Sequence, residues 1–325
     1  MSEMVPESGQ SGARGKVTRV AERISIGDMR LALESSGYPM ELRVSAMLDR
    51  RGFHSQTNPA CLDPETRTSL EADIHGLNAI RLSVRRFEWL RVKLLVECEN
   101  NPQPVVLFPR KDSASFTNKY DVRFVGMPIR VWSEGGWTEI ADFANLDRFH
   151  HYCKVECATQ YCSFAKKKGN GPWMALHPDE HHTSIRRLLL STDQEVDAFA
   201  GGWVPPRRPA DEPVNLTILY PVLVLGGSLY KGVVTGGRVS LLKRNHLLLG
   251  KSSFRRGSTE PDTYYIDVVV EKHLPRYLSL VMAEAQRLAR KIRRSGPLIH
   301  GSVQRITREL RATRKSEDRR ELLGS

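Results

Sequence analysis

The sequence contains no long hydrophobic run and no export signal. Its longest apolar stretches, such as residues 220–225, are far shorter than the roughly 20 residues that a membrane-spanning helix requires. The first 25 residues are rich in Ser, Gly, Arg and Glu and lack the apolar segment of a secretory signal peptide. We therefore expect a cytoplasmic protein without a membrane partner, and we expect residues 1–25 to be disordered.

Cysteine is also scarce. Five cysteines in 325 residues are an odd and small number for a disulfide framework, so we expect reduced thiols. The densest group of potential metal ligands consists of His150, His151, Cys153, Cys157 and Cys162. A structural zinc site usually shows paired cysteine knuckles separated by a longer loop, whereas these cysteines are spaced four and five residues apart. We interpret them as small apolar side chains in a helix and in the segment that follows it.

Positive charge is concentrated at the C-terminal end. Of the net charge of +12, residues 286–325 carry +8 and residues 1–25 carry +1, which leaves +3 for residues 26–285. Affinity for nucleic acid grows with the number of phosphates contacted locally, so attraction to DNA should reside in the basic end. The candidate DNA-binding side chains are Arg305, Arg308, Arg311, Arg314 and Lys315. A solvated helix surface is the alternative interpretation of the same charges.

Hydrophobic periodicity predicts a mixture of helices and strands. The predicted helices are 39–51, 142–153, 178–199 and 273–294, and the main predicted strands are 70–77, 92–96, 105–108, 216–225, 228–235, 239–249 and 263–270. The helix over 273–294 has an apolar stripe at three- and four-residue spacing, which indicates an amphipathic helix. A further basic helix is expected to end at about residue 314.

Four carboxylates lie on these elements. Glu41 belongs to the first helix, Asp73 to a predicted strand, and Glu97 and Glu99 to the end of the next strand. Because side chains two residues apart on a strand share a face, Glu97 and Glu99 should point the same way. A carboxylate on an apolar face is costly to bury without a partner. Clustered carboxylates suit Mg²⁺ or Mn²⁺, which can polarise a phosphodiester and activate water.

The order of these motifs resembles a nuclease superfamily. The motifs are Gly37-Tyr38-Pro39-Met40-Glu41, Leu70-Glu71-Ala72-Asp73-Ile74 and Leu94-Leu95-Val96-Glu97-Cys98-Glu99-Asn100. They resemble the core of PD-(D/E)xK nucleases of the Mrr and archaeal Holliday-junction-resolvase kind. In that family a helix carries a Glu, a strand carries E-x-D-I, and the next strand ends in V-E-C-K-N. The resemblance covers about 70 residues and implies that Glu41, Asp73 and Glu97 bind metal.

Glu99 stands where the family pattern has a lysine. That lysine orients the attacking water and stabilises the charge that develops on the phosphate. Some restriction enzymes of the superfamily carry glutamate here, so the resemblance still implies catalytic roles for Asp73, Glu97 and Glu99. Two alternatives stay open: a lysine such as Lys93 or Lys111 reaches the site from elsewhere, or the fold is a degenerate nuclease kept for binding or scaffolding.

These observations predict an α/β protein with a restriction-endonuclease-like core. We expect a central mixed β-sheet flanked by helices, with additional C-terminal strands and a long amphipathic helix. One domain should cover residues 26–295 and precede a basic helical tail over 296–325. The resemblance implies a Mg²⁺- or Mn²⁺-dependent DNA endonuclease. The alternative is a catalytically inactive module that binds nucleic acid or protein, and the sequence predicts no particular oligomeric state.

Overall fold

A computed structural model of the chain describes most of the sequence. The described residues are 23–63, 67–83, 88–110, 113–167, 171–176, 179–202, 213–254 and 259–323. Residues 1–22 of the predicted disordered segment and Lys111 lie outside them, as do the side chains of Arg314 and Lys315.

The described residues form six α-helices and sixteen β-strands. The helices are α1 (Ile26–Ser35), α2 (Tyr38–Arg50), α3 (Ile140–Phe143), α4 (Asp179–Gly202), α5 (Leu274–Arg294) and α6 (Gly296–Leu323). The strands are β1 (His54–Thr57), β2 (Ala60–Leu62), β3 (Ser69–Glu71), β4 (Ile74–Ser83), β5 (Glu88–Glu99), β6 (Val105–Pro109), β7 (Arg123–Met127), β8 (Arg130–Ser133), β9 (Gly136–Glu139), β10 (Cys157–Lys166), β11 (Trp173–Leu176), β12 (Asn215–Leu225), β13 (Leu229–Thr235), β14 (Arg238–Arg244), β15 (His246–Phe254) and β16 (Pro261–Val270).

A large mixed sheet forms the centre of the molecule. Within the described residues it has twelve strands, ten of which run in the order β1-β4-β5-β12-β16-β15-β10-β6-β13-β14. β11 pairs with β10, and β7 pairs with the first half of β12. β12 is parallel to both β5 and β16, whereas β4 and β15 run antiparallel to their neighbours β5 and β16. The predicted α/β class, with a mixed central sheet flanked by helices, is therefore confirmed.

β5 lies between two hydrophobic cores. Its even-numbered residues, such as Leu94, face the core that contains residues of α2 and α5, whereas Leu95 faces the core that contains Ile185 and Leu188 of α4. A strand that is buried on both faces needs apolar residues at successive positions, which explains the consecutive Leu94, Leu95 and Val96 of β5. The same alternation places Glu97 and Glu99 on one face, as predicted, and that face is the α4 side.

The long C-terminal helix has the predicted amphipathic form. In α5 the apolar stripe is buried: Leu274, Tyr277, Leu278, Val281, Ala285, Leu288, Ala289 and Ile292. Glu284 is buried within this stripe although it is acidic. The first turns of α6 add Ile299, Val303 and Ile306 to the same core. The basic segment from 296 onward therefore begins as a packed helix.

Three predicted elements are wrong in their extent. Residues 142–153 do not form one helix, because Asn145 adopts a left-handed conformation (φ 54°) between α3 and two short 3-10 turns. The strand expected at 70–77 is two strands, because β3 pairs with β2 while β4 pairs with β1 and β5. The strand expected at 239–249 divides likewise, since β14 pairs with β13 and β15 pairs with β16.

Two expectations from composition can be compared with the described residues. All five cysteines are free thiols. Cys157 lies on β10 and not in a helix, and Cys162 lies further along the same strand. None of the described helices is both long enough and apolar enough to cross a membrane.

Candidate active site

Asp73 and Glu97 meet across two antiparallel strands. Ile74 lies opposite Val96 in the pairing of β4 with β5, so Asp73 and Glu97 are cross-strand neighbours at the start of β4 and the end of β5. The backbone N–H of Asp73 donates to Glu97 Oε1 at 3.4 Å. The N–H of Cys98 donates to Asp73 Oδ2 at 2.7 Å. The separation of the two acids in sequence is thus spanned by a long hairpin.

Glu41 approaches this pair from the first turn of α2. The side-chain amide of Asn100 donates to the backbone oxygen of Ser36 at 2.7 Å, which ties the loop after β5 to the loop before α2. Burial and the negative charge of Asp73 raise the pKa of Glu41, whereas Arg187 lowers it. Glu41 is therefore close enough to Asp73 for the two charges to interact, and the three residues predicted as metal ligands lie in one region.

Glu97 is buried, and Asp73 beside it is half-buried. Glu97 is 1% exposed. Burial and the charge of Asp73 raise the pKa of Glu97 to about 9, although Arg187 and the Asp73 N–H lower it. Burial also raises the pKa of Asp73, against the opposing effects of the Cys98 N–H and Arg187. Without a metal, Glu97 therefore favours its protonated form at neutral pH.

Arg187 is the cation that reaches these acids, and it comes from α4. Its Nη1 lies 3.4 Å from Glu97 Oε2. Its Nε is buried and has no hydrogen-bond partner among the described residues. Ser184, one turn earlier on the same helix face, donates to Glu99 Oε1 at 2.5 Å. α4 therefore presents a hydroxyl to Glu99 and a guanidinium to Glu97.

Lys93, one of the two lysines considered as a substitute, is engaged elsewhere. It lies on the same face of β5 as Glu97, but its Nζ forms an ion pair with Glu195 of α4. Four residues of strand separate Lys93 from Glu97, which is about 13 Å.

Arg187 was not predicted as a site residue, because it lies far in sequence from the three motifs. The available signal was an arginine on the inward side of a helix, between Ser184 and Leu188.

The oxygen ligands of this site suit Mg²⁺ or Mn²⁺. Among the described residues, two groups bring three His, Cys, Asp or Glu donor atoms within 4.8 Å of one another, namely His150/His151/Glu284 and His151/His246/Asp267. Glu41, Asp73 and Glu97 do not form such a group. Mg²⁺ is usually held by one or two carboxylates together with water and substrate phosphate, so the pair of Asp73 and Glu97 is a sufficient protein contribution.

The predicted basic surface lies elsewhere on the molecule. In α6, Arg305 stacks on Trp132 of β8 at 3.7 Å from the ring centre and pairs with Glu309. Arg308 is exposed and Arg311 is half-buried. His300 of α6 lies 3.4 Å from Glu88 at the start of β5. Nine residues of strand separate Glu88 from Glu97, so His300, near the start of α6, lies roughly 30 Å along β5 from Glu97.

The buried Glu97, the half-buried Asp73, a third acid nearby and a guanidinium form an arrangement that can hold a divalent cation next to an anionic ligand. Comparisons of this chain with protein-family models, with curated proteins and with solved structures find no match.

Proposed function

We propose that this chain is a metal-dependent endonuclease of the PD-(D/E)xK type, which hydrolyses phosphodiester bonds in DNA. The observation that carries the proposal is the cross-strand pairing of Asp73 with Glu97 at the start of β4 and the end of β5. The resemblance assigns metal-binding carboxylates to these same two positions. A buried carboxylate beside a half-buried one is costly without enough positive charge nearby, which favours a role in binding metal.

Asp73 and Glu97 would hold Mg²⁺ or Mn²⁺, with Glu41 assisting from α2. When bound, such an ion polarises the phosphodiester and makes water a stronger nucleophile at neutral pH. The hydrogen bond from the Cys98 N–H fixes the orientation of the Asp73 carboxylate. The raised pKa of Glu97 implies that metal and protons compete for this side chain.

Arg187 compensates for the missing lysine. Its guanidinium is adjacent to Glu97 and can stabilise the negative charge that develops on the phosphate during hydrolysis. Arginine remains protonated and can bind two phosphate oxygens at once, so it would act as an electrostatic group and not as a proton acceptor. Glu99 then acts as a positioning residue, because its hydrogen bond from Ser184 fixes the part of α4 that carries Arg187.

A catalytically inactive binding module is the second candidate function. The observation that favours it is that Glu41, Asp73 and Glu97 do not bring three oxygen atoms within 4.8 Å of one another. In addition, the position at which the family has a catalytic lysine is occupied by Glu99, whose carboxylate accepts a hydrogen bond from Ser184. In this case the basic surface of α6 would bind DNA without cleavage.

Cleavage of plasmid and single-stranded DNA by the purified chain separates these functions. We expect cutting with Mg²⁺ or Mn²⁺ and none with EDTA. Asp73→Asn and Glu97→Gln should each reduce the rate at least about a hundredfold, because metal-ion stabilisation of the transition state is worth several kcal/mol. Glu71→Gln is the matched control. It removes one exposed carboxylate at the end of β3 and should leave the rate unchanged.

Variants of Arg187 test the compensating cation. Arg187→Lys should keep part of the activity, whereas Arg187→Met should lose it while Mn²⁺ binding, measured by calorimetry, persists. Equal cleavage by the wild type and Glu97→Gln would contradict the proposed site. Absence of cleavage with either metal, together with retained DNA binding, would favour the binding module.

A further inference from the structure

A second group of ionisable side chains lies in the interior of the protein. His151 Nε2 is 3.0 Å from Asp267 Oδ1, and His246 Nε2 is 2.7 Å from the same oxygen. The three residues come from a 3-10 turn, from the first residue of β15 and from β16. Asp267 and His151 are buried, and the side chain of His246 is 12% exposed. Three donor atoms from separate elements thus converge inside the fold.

Neighbouring side chains fix the orientation of these donors. Glu284 of α5 contacts the other ring nitrogen of His151, Nδ1, at 2.8 Å and also accepts the backbone N–H of His151 at 2.7 Å. Tyr277 donates to Asp267 Oδ2 at 2.8 Å. The remaining donors, Nε2 of both histidines and Oδ1 of Asp267, face one another. A carboxylate on the second nitrogen of an imidazole is the usual support of a metal-binding histidine.

We propose that His151, His246 and Asp267 bind a structural zinc ion. The charges of the cluster support this assignment. Asp267 and Glu284 carry two negative charges in a buried region, and a divalent ion with two neutral imidazoles balances them. This site is separate from the acids of β4 and β5 and does not depend on the proposed nuclease function.

The geometry of the donors is compatible with tetrahedral zinc. Zinc bonds of about 2.0–2.1 Å place adjacent ligand atoms about 3.3 Å apart, so the donors around Asp267 Oδ1 need to separate by roughly half an ångström. The ring planes of His151 and His246 differ by 56°, which allows their in-plane lone pairs to converge. His150 is stacked on His151 at 17°, so its lone pairs run nearly parallel to those of His151. The group with His150 and Glu284 is therefore the poorer site.

The donor set and its burial indicate zinc in a structural role. Two imidazoles and one carboxylate form a common ligand set for zinc, in which a water molecule would take the fourth tetrahedral position. No cysteine belongs to either group found among the described residues. A buried ion at this point would join the turn at His151 to β15, β16 and, through Glu284, to α5. Metal binding at such a junction should stabilise the folded protein directly.

Metal content and thermal stability of the full chain test the proposal. Protein produced with zinc in the medium should contain about one zinc per chain by mass spectrometry. Removal of the ion with a chelator should lower the melting temperature, and Zn²⁺ but not Mg²⁺ should restore it. Co²⁺ in place of zinc should give the visible absorption of a four-coordinate site. A wild-type protein that takes up no zinc, and melts identically with and without it, would overturn the proposal.

Variants identify the ligands. His246→Ala alters the least buried ligand and should lower zinc affinity at least about tenfold, and Glu284→Gln should weaken it about 10–100-fold through the loss of support for His151. His54→Ala, which removes an exposed histidine of β1, and Asp73→Asn should both retain the zinc. Unchanged zinc affinity in His246→Ala would contradict the site. If His246→Ala does not fold, the Co²⁺ spectrum of the wild type decides.

Discussion

Glu97 is proposed to bind metal, but its burial makes the metal-free protein less stable as pH rises. Its pKa is about 9 in the folded protein, because burial and Asp73 disfavour the charged form, against an ordinary value of 4.5. Between these two pH values the folded chain binds a proton that the unfolded chain releases. Stability must therefore fall as pH rises from about 4.5 to about 9, and the loss is complete above that range.

Glu97→Gln should consequently stabilise the metal-free protein. In EDTA at pH 8 we expect the free energy of unfolding to rise by roughly 1–3 kcal/mol, and near pH 4.5 we expect almost no change. Urea denaturation at the two pH values measures the difference. Glu71→Gln, which removes an exposed charge, serves as the control and should change stability at neither pH. If Glu97→Gln instead lowers the free energy of unfolding at pH 8, the neighbouring groups stabilise the charged form of Glu97 in the folded protein, contrary to this prediction.

At the scale of single elements, β7 depends on one glycine. Gly126 has φ +105°, and a Cβ at this position would lie 2.0 Å from the backbone oxygen of Asn215 on β12. L-residues with a side chain are strained at this φ, and the close approach involves backbone on both strands. The pairing of β7 with β12 therefore requires glycine at this position.

Gly126→Ala should lower the free energy of unfolding by about 2 kcal/mol or more. Gly136→Ala is the matched control, because Gly136 lies in β9 and its Cβ would meet no atom within 4 Å. The control should remain within about 0.5 kcal/mol of the wild type. Thermal or urea unfolding of the two variants measures the contrast, and equal stability of both would contradict the dependence of β7 on Gly126.

Across the whole molecule, the start of α6 and the acidic site lie at opposite ends of β5. They also lie on opposite faces of the sheet, because Glu97 points to the α4 side whereas the first turns of α6 pack in the core on the α5 side. If the chain acts on DNA, α6 would contribute to binding at a distance from the acids of β4 and β5, which would supply the chemistry.

Charge reversal on α6 should weaken DNA binding without loss of the chemical step. For Arg308→Glu/Arg311→Glu we expect a lower affinity for DNA. The slope of log K against log[salt] should become shallower by about 0.9 for each phosphate that the protein no longer binds. Arg305 is left in place, because it stacks on Trp132. Arg238→Glu, on the exposed strand β14, provides the control. An unchanged slope in the double variant would exclude α6 from the DNA interface.

Local patterns in the sequence were enough to predict several elements and part of the acidic site. The stripe of α5 and the common face of Glu97 and Glu99 follow from the helix and strand repeats, which depend only on neighbouring residues. The pairing that aligns Asp73 with Glu97 is also comparatively local, since the two strands form one hairpin.

Other features depended on which distant segments pack together. Arg187 reaches Glu97 across 90 residues of sequence, and His151 meets Asp267 across 116. Local periodicity carries no information about such contacts, because they arise from the order of strands in the sheet and from the helix that covers each face. For the same reason the breaks between β3 and β4 and between β14 and β15 were not predicted. The alternation of residues continues through them, and only the change of pairing partner divides the strands.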